Sequence, residues 1–214
     1  DYIPAAVPGK IFRLLCTVQI YFAFALFFSV LSNHDKFMVF FNVISESRYL
    51  SSVNSIYPLP IWKAINYANK NLPEDAKILF LGESRSFYLQ RKYAASSVFN
   101  TNPLAEYAYK SENARDMYNR LRSDGFTHII FNPGEGLRTN SYAQFSAEKT
   151  RNIMKSFFSE FLEIEWHENQ KANNTVINTI FILKITDSPS GPVPPNYIEM
   201  ALQKAENLKK AKNK

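Results

Sequence analysis

The hydrophobic pattern divides the chain into an apolar segment near its start and a longer, mixed remainder. Residues 14–31 read LLCTVQIYFAFALFFSVL and contain no Asp, Glu, Lys or Arg. A helix needs about 20 such residues to cross a bilayer. We therefore predict a loop and transmembrane helix at 1–36, a connector at 37–60, a soluble domain at 61–186, and a Pro-rich linker with a basic C-terminal helix or tail at 187–214.

The surroundings of the apolar segment favour a membrane span over a secretory signal peptide. A signal peptide has a shorter apolar core, of roughly 7–15 residues, followed by small residues at a cleavage site. Here aromatic residues continue to Phe27 and Phe28, and no such site follows. Lys10 and Arg13 precede the segment, which predicts a cytoplasmic N-terminus and a soluble domain outside. Because the chain opens on Asp1 and a proline-containing stretch, we expect a fragment of a larger membrane protein.

The remainder alternates between helical and strand patterns. Apolar residues recur every three or four positions, as in an amphipathic helix, in the segments 61–72, 114–121 and 153–162. A capping signal at Ser141 precedes the last of these helices. Short apolar runs predict strands at 77–82, 96–99, 127–132, 163–167 and 176–186. This order predicts an α/β layer fold with a mostly parallel sheet and a closing antiparallel hairpin.

Composition and charge narrow the classes of partner. Cys16 is the single cysteine and lies in the apolar segment, so the soluble domain has neither a disulfide nor thiolate metal ligands. The net charge is +6, but the last residues are rich in lysine and the rest is close to neutral. This balance argues against a nucleic-acid surface, and we predict no metal and no cofactor. Residues 198–208 can form a basic amphipathic helix, either solvated or docked on anionic lipid.

Residues 82–85 (GESR) are the best local candidate for a functional site. They follow a predicted buried strand, and ligands of open α/β sheets tend to bind at the carboxyl ends of strands. Ser84 invites comparison with the nucleophilic serine of SGNH-type esterases, which follows a similar strand. Those enzymes also need a late Asp-x-x-His pair, which none of the three histidines supplies. The structural alternative is that Gly82 makes a tight turn and Ser84 caps the next helix.

Basic residues follow both predicted central strands. If the two strands are adjacent, loops 82–91 and 132–138 emerge at the same edge of the sheet. We predict a ligand site there for a phosphate or carboxylate, since a guanidinium can hold such a group by two parallel hydrogen bonds. Its candidate residues are Glu83, Ser84, Arg85, Arg91 and Arg138. The alternative is that these arginines are solvated. In both cases we expect exposed arginines whose substitution changes stability by no more than about 0.5 kcal/mol.

Several stretches, taken together, resemble a known family. They are ISESRYL (44–50), WKAINYANKNLPED (62–75), KILFLGESRSFYL (77–89), RKY (91–93) and LRSDGFTHIIFN (121–132). In this order, after a final span, they resemble the C-terminal extramembrane domain of bacterial polytopic glycosyltransferases of the GT-C superfamily. That superfamily includes dolichyl-phosphate-mannose-protein mannosyltransferases and lipid A aminoarabinose transferases. The resemblance covers residues 10–186.

The resemblance implies glycosyl transfer from a polyprenyl-phosphate-linked sugar at the outer, periplasmic or extracellular, face of the bacterial inner membrane. In that family the catalytic carboxylate lies in the first extramembrane loop of the full protein. No such loop occurs in this sequence, so no catalytic residue is carried over. The implied role is an accessory domain that caps the active-site cavity and helps to select the acceptor. The alternative is a membrane-anchored, noncatalytic binding or interaction module.

Overall fold

A computed structural model of the chain describes residues 6–33, 36–52, 58–97 and 99–192, together with single positions near the C-terminus. The chain divides into two compact units, residues 1–58 and 59–214. The apolar positions that predict a basic C-terminal helix at 198–208 lie outside the described residues.

The first unit is helical. Its helices are α1 (Ala6–Asn33), α2 (Lys36–Phe40) and α3 (Glu46–Ser51). Within the described residues, one helix is long and apolar enough to cross a membrane: Gly9–Val30, with a mean hydropathy of 1.9. None of that helix is buried against other parts of the unit. A spanning helix satisfies its own backbone hydrogen bonds and presents apolar side chains outward. The prediction of a helix of spanning length is thus confirmed.

The second unit is built on a mixed sheet. Its strands, within the described residues, are β1 (Lys77–Leu81), β2 (Lys92–Ala94), β3 (His128–Phe131), β4 (Leu162–Ala172) and β5 (Thr175–Ile185), in the order β2-β1-β3-β5-β4. β1 pairs in parallel with β2 and β3, whereas β5 pairs antiparallel with β3 and β4. The α/β class and the closing hairpin are confirmed. The sheet is not mostly parallel, because the hairpin strands are long and β5 lies directly beside β3.

Helices cover both faces of the sheet. Helix α4 (Trp62–Asn71) packs on one face, against alternate strand residues such as Ile78, Phe80 and Ile182. The other face receives Leu79, Phe131 and Leu183. It is covered by α5 (Pro103–Lys110), α6 (Ala114–Ser123), α7 (Pro133–Arg138), a 3₁₀ helix (Ser141–Phe145) and α8 (Glu148–Glu160). Both faces are thus buried, which is why β1 and β3 read as continuous apolar runs in the sequence.

Three local predictions are wrong. The second strand lies at 92–94 rather than 96–99, because it is an edge strand with exposed residues and carries no apolar run. Ser84 caps no helix, since residues 83–86 are irregular. Ser141 opens the 3₁₀ helix, and α8 begins after Ala147. Helix α5 was not predicted, although Asn102 followed by a proline is a typical helix start.

Candidate functional site

The two candidate loops emerge at one edge of the sheet, as predicted. β1 and β3 are parallel neighbours, with Leu81 paired to Phe131 at their carboxyl ends. Residues 82–86 follow β1, and Asn132 and helix α7 follow β3. We call this region the carboxyl edge. The long hairpin extends past the end of β3 on the same side, because Phe131 pairs with Phe181 and β5 starts at Thr175.

Glycines at the carboxyl edge allow the two loops to pack closely against each other and against Tyr142. Gly82 has φ +70°, a conformation that favours glycine, and a Cβ there would lie 2.5 Å from the Asn132 carbonyl oxygen. A Cβ on Gly136 would lie 2.4 Å from the ring of Tyr142. Real Cβ atoms do not approach other heavy atoms this closely. The two loops and the buried Tyr142 therefore fill the space in which a ligand of an open α/β sheet would otherwise sit.

Glu83 lies at the centre of this edge, with its side chain 0% exposed. Its Oε1 accepts from the backbone N–H groups of Ser84 (2.9 Å) and Arg85 (3.0 Å) and from Arg85 Nε (2.8 Å). Its Oε2 accepts from Arg85 Nη2 (2.7 Å) and Asn132 Nδ2 (2.9 Å). Both oxygens thus have fixed donors, as a buried charge requires. The carboxylate is arranged as a structural acceptor rather than as a base.

Arg85 is a partner of Glu83 rather than a solvated arginine. Its side chain is 29% exposed, and its guanidinium makes two hydrogen bonds with the carboxylate. Burial alone would lower the pKa of Arg85, but the hydrogen bonds and charge of Glu83 more than offset burial, and the pKa is raised. The expectation of an exposed arginine is therefore wrong at this position. Binding of an external anion by Arg85 stays a prediction.

A chain of amides continues the network into the hairpin. Asn132 Oδ1 accepts from Asn178 Nδ2 on β5 (2.8 Å), and the same Asn178 nitrogen donates to Gln170 Oε1 on β4 (2.8 Å). Asn178 Oδ1 accepts from the backbone N–H of Gly134 (2.9 Å). Sequence analysis missed Asn178 and Gln170. The available signal was an amide within the apolar β5 run TVINTIFILKI, since a polar side chain there must find partners.

The network also holds the first residues of the second unit. Arg85 Nη2 donates to the carbonyl oxygen of Leu59 (2.8 Å), and Gln170 Nε2 donates to the carbonyl oxygen of Pro60. A Cβ on Gly134 would lie 2.9 Å from Leu59 Cδ1, so the side chain of Leu59 sits directly on α7. The chain therefore enters the α/β domain at the carboxyl edge and is fixed there by polar contacts.

Beside this network lies a second ion pair and a small polar cleft. Arg138 donates to both oxygens of Glu135 (2.8 and 2.6 Å), and its own side chain is 59% exposed. The cleft has a volume of about 10 Å³, roughly the space of one water molecule. It is lined by Gly82, Glu83, Ser84, Ser96, Ser97, Glu135, Thr139 and Ser141. Of the predicted site residues, Ser84 is exposed and lines the cleft, whereas Arg138 is exposed but is not part of the cleft lining.

Arg91 does not join the predicted cluster. Its guanidinium donates to the carbonyl oxygens of Asn69 (2.8 Å), Leu72 (2.9 Å) and Pro73 (2.8 Å) at the end of α4. It directly precedes β2, whose first residue is paired with Lys77 at the start of β1. Arg91 therefore lies at the opposite, amino edge of the sheet. There it satisfies carbonyl groups that the end of the helix leaves without intrahelical partners.

The histidines of the second unit do not reach Ser84. His128 is paired with Ile78 near the start of β1, at least about 10 Å along the strands from the carboxyl edge. His167 lies on β4, three strands from β1 or about 14 Å, and stacks on Phe181. An esterase dyad of Ser84 with either histidine is therefore incompatible with this fold. Among the residues that the structure describes, no group of three His, Cys, Asp or Glu is placed to hold a metal ion.

His128 makes a polar contact of its own. Its Nε2 lies 2.8 Å from Glu165 Oε2, and its Nδ1 lies 2.8 Å from Thr127 Oγ1. Burial lowers the pKa of His128, and the charge and hydrogen bond of Glu165 oppose this effect without cancelling it. Lys184 and Arg122 lower the pKa further. The imidazole is therefore harder to protonate in the folded protein than in the unfolded chain, and it has a protein partner at each nitrogen.

This histidine makes stability depend on pH. An unfolded histidine binds a proton below about pH 6.5, whereas folded His128 binds one only at lower pH. The free energy of unfolding should therefore fall as the pH drops below about 6.5, by up to about 1.4 kcal/mol per pH unit. Urea unfolding between pH 7.5 and 5.5 measures this slope. His128→Gln should flatten it and exposed His167→Gln should not; an unchanged slope in His128→Gln would contradict the assignment.

Comparison with protein-family models, with curated proteins and with solved structures gives no match for this chain.

Proposed function

We propose that this chain is the C-terminal accessory part of a bacterial membrane glycosyltransferase that uses a polyprenyl-phosphate-linked sugar. In this proposal helix α1 spans the inner membrane and the α/β domain lies on the periplasmic or extracellular side. The domain caps the cavity in which transfer takes place and helps to select the acceptor. The catalytic carboxylate belongs to another part of the same enzyme, so this chain alone transfers no sugar.

The observation that carries the proposal is the form of the carboxyl edge. Ligands of open α/β sheets usually bind at such an edge, but here glycines, Tyr142 and the Glu83 network fill it. Such packing suits a rigid accessory domain better than an enzyme with its own active site. Its attachment to a helix of membrane-spanning length, and the order of sequence stretches that resembles GT-C transferases, support the same interpretation.

A second candidate function is a membrane-anchored binding module that belongs to no transferase. It is favoured by an open groove on the domain, described in the next subsection. The coding sequence upstream of Asp1 separates the two candidates. Several further spans and an acidic residue in the first outer loop are expected for a transferase. A start codon directly upstream, with no further spans, would contradict the proposal.

The proposed topology predicts the result of a labelling experiment. Thr175 is exposed at the tip of the hairpin, next to Asn173 and Asn174, which have positive φ and are less suited to substitution. In a Cys16→Ser background, Thr175→Cys should react with a membrane-impermeant maleimide in intact spheroplasts. Labelling only after lysis would place the domain in the cytoplasm. A cysteine at Thr17, inside the span, serves as the control that stays unlabelled in both conditions.

A further inference from the structure

A groove of about 670 Å³ opens on the domain, away from the carboxyl edge. It lies beside edge strand β2 and is bounded by α5 and by the end of α6. Lys77, the first residue of β1, lines it, so the groove belongs to the amino edge of the sheet. Its volume is within the range of about 300–1,000 Å³ that is usual for small-ligand sites. The residues that line it include none of the network residues Glu83, Arg85, Asn132, Gln170 and Asn178.

Aromatic side chains and a carboxylate form one wall of the groove. The rings of Tyr107 and Phe126 meet edge to face, with centroids 6.0 Å apart. The hydroxyl of Tyr107 donates to the carboxylate of Asp124. Burial, followed by the hydrogen bond and charge of Asp124, raises the pKa of Tyr107 to about 12, so the phenol keeps its proton at neutral pH. This wall therefore combines an apolar ring with fixed hydrogen-bonding groups.

Three cationic side chains and two carboxylates line the groove, and a third carboxylate, that of Asp116, pairs with the lining residue Arg120 (3.0 Å), so the charges balance. Lys77 Nζ donates to the carbonyl oxygen of Asp124 (2.8 Å), and Lys110 Nζ lies 3.5 Å from Glu106 Oε2. An anionic ligand would face two carboxylates, and a cationic ligand would face the ammonium groups. A neutral ligand with many hydroxyl groups meets neither penalty. Its hydroxyl groups can donate hydrogen bonds to the carboxylates and accept them from the ammonium groups, while its C–H face packs on the ring of Tyr107.

The edge strand is a poor template for a peptide. An extended peptide that joins a sheet gains affinity from a row of main-chain hydrogen bonds. β2 offers only three residues, Lys92 to Ala94. Short edge strands are one of the ways in which proteins discourage strand addition. The groove chemistry therefore favours a hydroxyl-rich ligand over an added strand.

From the aromatic wall, the balanced charges and the volume, we infer that this groove binds a neutral saccharide through Glu106, Tyr107, Lys110 and Asp124. The inference rests on the proposed function and deepens it, because it identifies the acceptor as a glycan. The sugar hydroxyls donate hydrogen bonds to the carboxylates and accept them from the ammonium groups. The Tyr107 ring contacts the C–H face of a sugar ring. The groove would hold the acceptor chain away from the reacting end.

Saturation-transfer NMR on the full chain in nanodiscs, prepared without glycosidic detergents, tests this inference. The probes are maltotriose, mannobiose and N,N′-diacetylchitobiose, with inorganic phosphate and a mixed pool of pentapeptides as competitors. We expect saturable binding of at least one saccharide. Glu106→Gln should weaken it about tenfold, as expected for the loss of one charge-assisted hydrogen bond. Tyr107→Leu removes the aromatic ring that packs on the sugar and should also weaken it about tenfold. The matched controls Glu112→Gln and Tyr109→Leu, outside the groove, should change it less than twofold.

Three outcomes would overturn the inference. They are the absence of saturable binding by every saccharide, binding that survives both groove variants, and displacement by phosphate or by the peptides instead of competition between saccharides. The assay reads binding by this chain alone, so its failure is distinct from failure of the proposed function. If the protein from native membranes transfers sugar but its groove binds no saccharide, the proposed function stands. Only the assignment of the groove is then wrong.

Discussion

Arg85→Met should destabilise the α/β domain by about 3–5 kcal/mol, the usual cost of removing one partner from a buried ion pair. The substitution keeps most of the apolar stem but leaves the Glu83 carboxylate, 0% exposed, without its cationic partner. It also removes the hydrogen bond to the Leu59 carbonyl. Urea unfolding followed by tryptophan fluorescence measures the loss, because both tryptophans lie in the second unit: Trp62 on α4 contacts Tyr88, and Trp166 on β4 stacks on Tyr67.

Two further variants show whether the ion pair is the cause. Arg120→Met removes an exposed arginine that is paired with Asp116 on the same helix, and it should leave the unfolding midpoint unchanged. The double variant Glu83→Gln/Arg85→Met removes both charges and should recover part of the stability lost in Arg85→Met. If Arg85→Met unfolds at the wild-type urea concentration, Arg85 is a solvated side chain and the structural account of Glu83 is wrong.

Glycine substitutions at the carboxyl edge should have the next largest effect. Gly136→Ala introduces a Cβ 2.4 Å from Tyr142, whose ring is buried and cannot move away. Overpacking of this kind costs about 1–3 kcal/mol. Gly82→Ala adds the strain of a positive φ to a contact of 2.5 Å with a backbone oxygen, so we expect a larger loss. Thermal unfolding of the two variants measures both effects.

Gly125 provides the control for these two substitutions. It has φ +82°, but nothing lies within 4 Å of the position that a Cβ would take. Gly125→Ala therefore reports backbone strain alone, at a cost of about 1–2 kcal/mol. The expected order of stability loss is Gly82→Ala first, with Gly136→Ala and Gly125→Ala smaller. Equal losses in Gly82→Ala and Gly125→Ala would mean that the carboxyl edge has room that the structure does not show.

Sequence patterns predict those parts of the fold in which apolar residues form a run or a helical period. Helices α4, α6 and α8 carry a helical period, the apolar helix and the central strands β1 and β3 are continuous apolar runs, and each is found. β2 is not predictable in this way, because both Lys92 and Tyr93 are exposed at the sheet edge. The mixed character of the sheet also escapes local analysis. It depends on β5 lying beside β3, a contact between residues about fifty positions apart.

The candidate site also depends on contacts between residues that are far apart in the sequence. Its position was predictable, because loops after neighbouring parallel strands meet at one edge. The partners of its residues were not, since Glu83 meets Asn132 across 49 positions and Asn178 meets Asn132 across 46. Arg85, Arg91 and Arg138 look alike in the sequence, yet one pairs with a buried carboxylate, one binds the end of α4 and one lies half in solvent. Only the fold separates these roles.

In the proposed function, the α/β domain serves a membrane glycosyltransferase without catalysing transfer itself. The most direct test is to purify the native protein from its membranes with an antibody raised against the domain. Transfer of radiolabelled sugar from polyprenyl-phosphate-linked donors to membrane acceptors is then measured, with the 214-residue chain in nanodiscs assayed in parallel. We expect transfer by the native protein and none by the chain alone. Absence of transfer by the native protein with every donor, or transfer by the chain alone, would contradict it.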